Sequence, residues 1–327
     1  MQVSLSRQTP AASIFLMLLL VTAAFVRFAV APYSDELIVG GAALPGLWVD
    51  TFQSGFPVWG TLISAVMVAV ISITLGRLTS AFGLYQARTT ISIPLYVIVA
   101  CGIFIASDSL AVTLSAYFAM LMMRYLCGGY VRGTDLNYAF YAGICAALAP
   151  MFYAPAVSLV LLLPIAILMF GLSLREIVVM IAGLALPLVA VCYGNWFCGG
   201  VFSAPATDLY DAVIRSNDYT LWGSESVVAL AMMGFSLFVV FCGILSFAGD
   251  NRSVGVRPRT ILAFHIVTFV VACATFALPS ATAGVLMLVA LPASVLMPVV
   301  LVRLRDGMSN LIIIFLVLLF ILHIFIA

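Results

Sequence analysis

Two adjacent carboxylates, Asp35 and Glu36, stand shortly after the first long apolar run of the sequence. A carboxylate at the outer mouth of a helical bundle can act as a general base, because neighbouring helices partly remove it from water. Its oxygens are also hard ligands of the kind that bind a divalent cation. We predict that Asp35 and Glu36 are catalytic and could also hold such a cation. The alternative is a pair of solvated acids that only reflects the charge of an external loop.

Two arginines are candidates for binding an anionic group near this pair. Arg27 lies at the far end of the first apolar run, and Arg215 lies in a later polar segment. A guanidinium suits phosphate, because its donors match two phosphate oxygens at once. We predict that both residues bind the phosphate of a lipid substrate. The alternatives for Arg27 are snorkelling or an ion pair with Asp35 or Glu36, and the alternative for Arg215 is an i,i+4 ion pair with Asp211.

The segment around Arg215 has the signals of a short surface helix. Ser203 is a helix-start residue, and Asp208, Asp211 and Arg215 follow at a spacing that places them on one helical face. Trp222 comes soon after and could stack on a sugar ring, although an aromatic at this depth also serves as an interface anchor. We include Asp208, Asp211 and Trp222 with the arginines in the predicted substrate-binding set.

Motifs of several common enzyme classes are missing from the sequence. It contains no P-loop, GxGxxG, HExxH or CxxC motif, which argues against nucleotide hydrolysis, dinucleotide redox chemistry and zinc chemistry. The formal net charge of +1 gives no reason to expect a nucleic acid partner. His265 and His323 are predicted to be membrane-interface side chains and are not placed in the site.

The elements that must position these residues are membrane-spanning helices. The chain is 65% hydrophobic with a mean hydropathy of +1.27, more apolar than a soluble core can bury. Cutting the sequence at charges and at Pro/Gly clusters gives about eleven spans, and a lipid-facing chain of this kind must be helical. The predicted spans are residues 11–30, 58–76, 92–107, 109–123, 136–152, 155–172, 177–196, 227–247, 260–278, 281–301 and 310–326.

The arginines set the predicted orientation. Placing the N-terminus in the cytoplasm puts all arginines except Arg27 and Arg215 on the cytoplasmic side, as the positive-inside rule requires. The fold class is therefore an all-α polytopic transmembrane bundle, with residues 1–327 as one integral membrane domain.

Two long extracytoplasmic loops interrupt the predicted bundle, at residues 31–57 and 197–226. The first carries Trp48 and Trp59 among Gly and Pro residues. This composition is typical of a re-entrant or an interfacial segment that aromatics anchor at headgroup depth. The second contains the predicted surface helix.

Residues 136–197 resemble an uncharacterised multi-pass inner-membrane family of Bacteroidota. The signals are the "FYAP" turn between two spans and the "SLRE" turn before the next one. The remainder of the chain resembles that family only in hydropathy, and the resemblance implies no activity.

A more distant resemblance is to the GT-C superfamily of glycosyltransferases, which use polyprenyl-phosphate sugars. Its members share a cytoplasmic N-terminus, an acidic residue in the first external loop and a long external loop after the seventh helix. Here "YSDEL" follows the first span and residues 197–226 follow the seventh. The resemblance implies that Asp35 or Glu36 activates an acceptor hydroxyl, and that Arg27 or Arg215 holds the lipid phosphate. The chain lacks the external soluble domain that many members carry.

We therefore predict an envelope-biogenesis membrane protein that moves a sugar from a polyprenyl-phosphate donor to an acceptor on the outer face. The membrane lipid and the lipid-linked sugar are its expected partners. One alternative is a transporter or flippase of a lipid-linked substrate. Another is a noncatalytic scaffold that binds proteins of an envelope complex through its external loops.

Overall fold

A computed structural model describes residues 10–30, 44–85, 87, 89–103, 110–133, 135–215, 226–249 and 255–326. Within these ranges the chain is all-helical, with thirteen α-helices and no strand. Two 3₁₀ helices, Ala154–Leu161 and Thr275–Ala277, interrupt the series. The α-helices are α1 Pro10–Val30, α2 Leu44–Gly55, α3 Pro57–Ala81, α4 Ser92–Ile103, α5 Leu110–Arg132, α6 Leu136–Phe152, α7 Leu162–Phe170, α8 Leu174–Phe197, α9 Ala204–Ile214, α10 Val227–Gly249, α11 Val256–Ala274, α12 Val285–Leu301 and α13 Asp306–Ile326.

Six of these helices are long and apolar enough to cross a membrane, namely α3, α5, α8, α10, α13 and α11 with the 3₁₀ turn that follows it. The chain is thus a multi-pass membrane protein, as its composition predicts. Shorter apolar helices occupy the positions of the other five predicted spans. The predicted turn before Pro155 is observed, and the span after it is a 3₁₀ helix joined to α7.

Helices α4 and α12 form the centre of the bundle. Residues 91–101 and 285–299 are buried all along their length, which is the pattern of a helix enclosed on every side. The two helices pack against each other, and α1, α3, α10, α11 and α13 pack around them. Because protein encloses it, α4 need not match the thickness of the bilayer with its 12 residues.

Helix α8 lies at the edge of the bundle and joins it mainly through α6. The two backbones come very close where Gly143 of α6 faces Gly183 of α8. A Cβ atom on Gly143 would lie 2.2 Å from the carbonyl oxygen of Met180, and one on Gly183 would lie 2.3 Å from that of Phe140. Small residues permit this approach between membrane helices. We call this contact the glycine seam.

A capping box fixes the start of α8. The side chain of Ser173 accepts the N–H of Glu176, and the Glu176 carboxylate accepts the N–H and O–H of Ser173, both at 2.7 Å. These bonds satisfy donors that the first helical turn leaves unpaired. The "SLRE" turn is therefore a helix start with a defined physical role.

Four arginines of the bundle lie at the same end. Arg77 and Arg132 lie at the C-terminal ends of α3 and α5, and Arg175 and Arg257 lie at the N-terminal ends of α8 and α11. All four belong to one end, while α2 and α9 lie at the other. We call the end that carries α2 and α9 the outer end, following the predicted orientation.

Both histidines are buried within the bundle, and their predicted position at the membrane interface stays a prediction. The relative exposure of His265 is 0% and that of His323 is 3%. The Nδ1–H of His265 donates to the carbonyl oxygen of Ile261 at 2.8 Å, so part of its polarity is satisfied within its own helix.

Candidate functional site at the outer end

Several of the predicted site residues lie outside the described residues. These are Asp35, Glu36 and Trp222. Arg27 lies in the last turn of α1, and its side chain is also outside the description. Among the described residues, no group of three or more His, Cys, Asp or Glu side chains could hold a metal ion. The divalent cation predicted at Asp35 and Glu36 stays a prediction.

Helix α9 carries the other three predicted site residues. It begins directly after Ser203, as predicted, with Pro205 in its first turn. Asp208, Asp211 and Arg215 are all exposed, and the backbone N–H of Arg215 closes the helix on the carbonyl of Asp211 at 2.9 Å. Two carboxylates and one guanidinium therefore face solvent from a single short helix at the outer end.

The turn between α8 and α9 is built by a polar side chain. The Asn195 amide donates to the carbonyl of Val201 at 2.8 Å. Gly199 has a φ of +89°, and a Cβ on Gly200 would lie 2.7 Å from the Asn195 amide atoms. Both glycines are thus required by this turn. Pro205 and Ala212 are buried, and α9 packs against α8 and the 3₁₀ helix 154–161.

Helix α2 brings the first external segment to the same end. It packs against α3, α5 and α6. Its Gln53 side chain is only 1% exposed, and its Oε1 accepts the N–H of Leu110, the first residue of α5, at 3.1 Å. That N–H has no partner within α5, so the buried amide satisfies a helix end. A Cβ on Gly60 would lie 2.8 Å from Gln53 Cγ, so α3 leaves space for this side chain.

A helix break separates α6, which α2 contacts, from the 3₁₀ helix 154–161, which α9 contacts. Tyr153 separates α6 from the 3₁₀ helix in an extended conformation, with φ −145° and ψ 103°. Its hydroxyl lies 2.8 Å from Thr282 Oγ1 and accepts the N–H of Thr282 at 3.2 Å. Beside it, the hydroxyls of Ser158 and Thr275 share a hydrogen bond of 2.5 Å. We call Tyr153, Ser158, Thr275 and Thr282 the outer hydroxyl cluster.

The outer hydroxyl cluster joins two stretches of irregular backbone. One is the break at Tyr153, and the other is the buried segment 280–284 between α11 and α12. Non-helical backbone at this depth needs internal hydrogen-bond partners, since lipid supplies none. The Tyr153 hydroxyl therefore holds the two segments in place through its hydrogen bonds to Thr282.

The opposite end of the bundle holds a groove of about 770 Å³ between the start of α1 and the loop after α3. Its hydroxyl groups are already bonded within the protein. Thr90 donates to the Ser13 hydroxyl at 2.9 Å, and Thr79 Oγ1 lies 3.1 Å from Ser92 Oγ. No charged side chain lines it among the described residues. The residues that line it are Pro10, Thr79, Ser80, Ala81, Phe82, Gly83, Tyr85, Ala87, Thr89 and Thr90.

Sequence reasoning identified α9 and its charges but missed Gln53 and the outer hydroxyl cluster. The prolines near Tyr153 and Thr282 signal turns, but nothing in the sequence pairs two residues that are 129 positions apart. Comparison with family models, with curated proteins and with solved structures gives no match to this chain.

Proposed function

We propose that the chain is a GT-C-like glycosyltransferase of the bacterial inner membrane, with eleven spans and a cytoplasmic N-terminus. It transfers a sugar from a polyprenyl-phosphate donor to an acceptor at the outer face. The two loops that this proposal requires are the segments that contain α2 and α9.

One observation carries the proposal: α2 and α9 pack against the two elements that meet at the helix break at Tyr153. Helix α2 contacts α6, whose C-terminal end is the break at Tyr153, and α9 contacts the 3₁₀ helix that starts immediately after it. The acidic pair stands in the sequence five residues after α1 and eight residues before α2. Helix α2, which follows the acidic pair in the sequence, and α9, which ends before Arg215, thus both lie at the outer end of the bundle.

The chemistry assigned to these residues is a single displacement. Asp35 or Glu36 takes the proton of the acceptor hydroxyl, and the oxygen of that hydroxyl attacks the anomeric carbon of the donor. The bond between that carbon and the phosphate oxygen breaks, and polyprenyl phosphate leaves with the electron pair. Arg27 or Arg215 stabilises the negative charge that develops on the phosphate.

The test uses purified protein in liposomes that contain polyprenyl phosphate linked to a radiolabelled hexose, with an alkyl glycoside as acceptor. Each donor of a panel of hexoses is tried in turn. Loss of the base in Asp35→Asn or Glu36→Gln should lower the transfer rate by about 10²–10⁴-fold. Asp135→Asn is the matched control, because Asp135 caps α6 through its side chain and asparagine caps equally well.

Two results would contradict the proposal. One is full transfer by Asp35→Asn, by Glu36→Gln and by the double variant, which would exclude the pair as the base. The other is no transfer by the unmodified protein with any donor of the panel, while the same liposomes show movement of the lipid-linked sugar between leaflets.

That second result would favour a flippase of a lipid-linked substrate. One structural observation supports this alternative. Transporters commonly build their sites from interrupted helices with irregular backbone inside the membrane. The break at Tyr153 and the buried segment 280–284 are of this kind, and a hydrogen bond joins them. A fluorescent lipid-linked sugar whose outer-leaflet fraction is chemically bleached measures this movement directly.

A further inference from the structure

The exposed side of α2 divides into two edges of opposite character. Trp48 and Phe52 point from one edge, and the ring of Phe52 lies 5.7 Å from that of Phe56 just past the helix end. Thr51 and Ser54 lie on the other edge, together with the exposed Leu47. With an angular step of 100° per residue, the mean directions of the two sets differ by roughly 110°. The third side of the helix, around Gln53, is buried against the bundle.

The aromatic side chains of this edge are more exposed than contact with water alone would explain. The relative exposure is 71% for Trp48, 58% for Phe56 and 61% for Trp59. Large aromatic side chains that cluster on one surface mark an interaction site. The hydroxyls of Thr51 and Ser54 instead donate to carbonyls of their own helix, at 2.7 and 2.9 Å. Such an edge tolerates water or headgroups equally well.

The aromatic edge continues into the apolar surface of a membrane-spanning helix. Helix α3 begins at Pro57, one residue after α2 ends. Its exposed side chains run down from Trp59 through Leu62, Ile63, Val66 and Val70. Because α3 is one of the helices that can cross the membrane, this stripe faces acyl chains. The surface of α2 that joins its upper end must then lie at the boundary of the bilayer.

We propose that α2 is an in-plane interfacial helix whose aromatic edge binds the outer surface of the bilayer. The occupant of the edge is lipid, with the indole of Trp48 about 5–10 Å below the headgroup boundary. The polar edge faces water, and the buried amide of Gln53 fixes the rotation of the helix against the N-terminus of α5. Of the two structures that the sequence leaves open, this arrangement of edges on a helix of 12 residues favours the interfacial one. This inference does not depend on glycosyl transfer.

Tryptophan fluorescence in reconstituted liposomes tests the proposal. Trp59, Trp196 and Trp222 are changed to Phe, so that Trp48 is the only tryptophan of the full chain. We expect lipids brominated in the upper part of the acyl chain to quench Trp48 several-fold more than lipids brominated near the chain end. Aqueous iodide should quench it weakly. The matched control moves the only tryptophan to the polar edge, by Trp48→Phe with Thr51→Trp, and should reverse the preference.

The opposite results would overturn the proposal. Strong quenching by iodide with none by brominated lipid would place the aromatic edge in water. Shielding from both quenchers would place protein on it, such as a second copy of this chain.

A second measurement keeps the proposal falsifiable should the single-tryptophan variant fail to fold. Spin labels are attached at Phe52→Cys and, separately, at Ser54→Cys, each with the exposed Cys198 changed to Ser. Oxygen should collide more with the label at position 52, and a water-soluble nickel chelate more with the label at position 54. Equal accessibility at both positions would contradict the proposal.

Discussion

Adding a methyl group at the glycine seam should force α6 and α8 apart. A Cβ on Gly183 would lie 2.3 Å from a backbone carbonyl oxygen of α6, whereas ordinary contact begins near 3.4 Å. Because backbone cannot rotate away like a side chain, the helices must separate by about 1 Å. A gap of that size forfeits about a quarter to a half of each dispersion contact along the seam.

The expected cost is about 1–3 kcal/mol for Gly183→Ala, the range for overpacking a close contact. Alanine also regains about 0.5–1 kcal/mol of helix propensity, which offsets part of it. Gly194→Ala on the same helix is the matched control, because its Cβ would meet nothing within 4 Å. That variant reports the propensity gain alone.

Thermal unfolding of the purified protein in detergent measures this difference in stability, with the loss of the monodisperse chromatographic peak as the readout. Gly143→Ala should lower the midpoint as Gly183→Ala does. The double variant should fall short of the sum, because both changes open the same seam and neighbouring sites couple by about 0.5–3 kcal/mol. If both single variants are as stable as Gly194→Ala, the close approach of the two helices does not exist and the reasoning fails.

Two further predictions concern the outer end. Tyr153→Phe should destabilise the protein by about 1–3 kcal/mol, because it leaves the buried N–H of Thr282 without its acceptor. The control in the same unfolding assay is Tyr193→Phe, at an exposed tyrosine. Equal unfolding midpoints for the two variants would refute the role of the Tyr153 hydroxyl. Cys198, the exposed cysteine in the turn before α9, should react with a membrane-impermeant maleimide in intact spheroplasts. Labelling that requires lysis would reverse the predicted orientation.

The sequence predicts where the helices of this chain lie, because apolar runs and charges mark their limits directly. It does not predict which helices are central. Helices α4 and α8 are both strongly apolar, yet α4 is enclosed and α8 lies at the edge. Hydropathy measures how unfavourable it is to expose a side chain to water, and burial in lipid or in protein removes that exposure equally well. The difference depends on shape, such as the fit of Gly143 against Gly183.

The site shows the same limit for polar residues. The start of α9 is predictable because Pro205 suits the first turn of a helix through its own backbone geometry, although the Ser203 side chain makes no capping bond. The partners of Gln53 and Tyr153 are not, because each satisfies a backbone group of a distant segment. Such pairings arise only when the bundle is assembled, and they leave no periodic signal in the chain.

The two external helices are held by different forces, which separates their contributions to the proposed function. Helix α2 is fixed directly to α5 by the buried amide of Gln53. Helix α9 rests on α8, which joins the bundle mainly through the glycine seam, and on the 3₁₀ helix. Loosening the seam should therefore displace Arg215 while leaving α2 in place. If Arg215 holds the donor phosphate, Gly183→Ala should weaken donor binding in the transfer assay and leave the quenching of Trp48 by lipid unchanged.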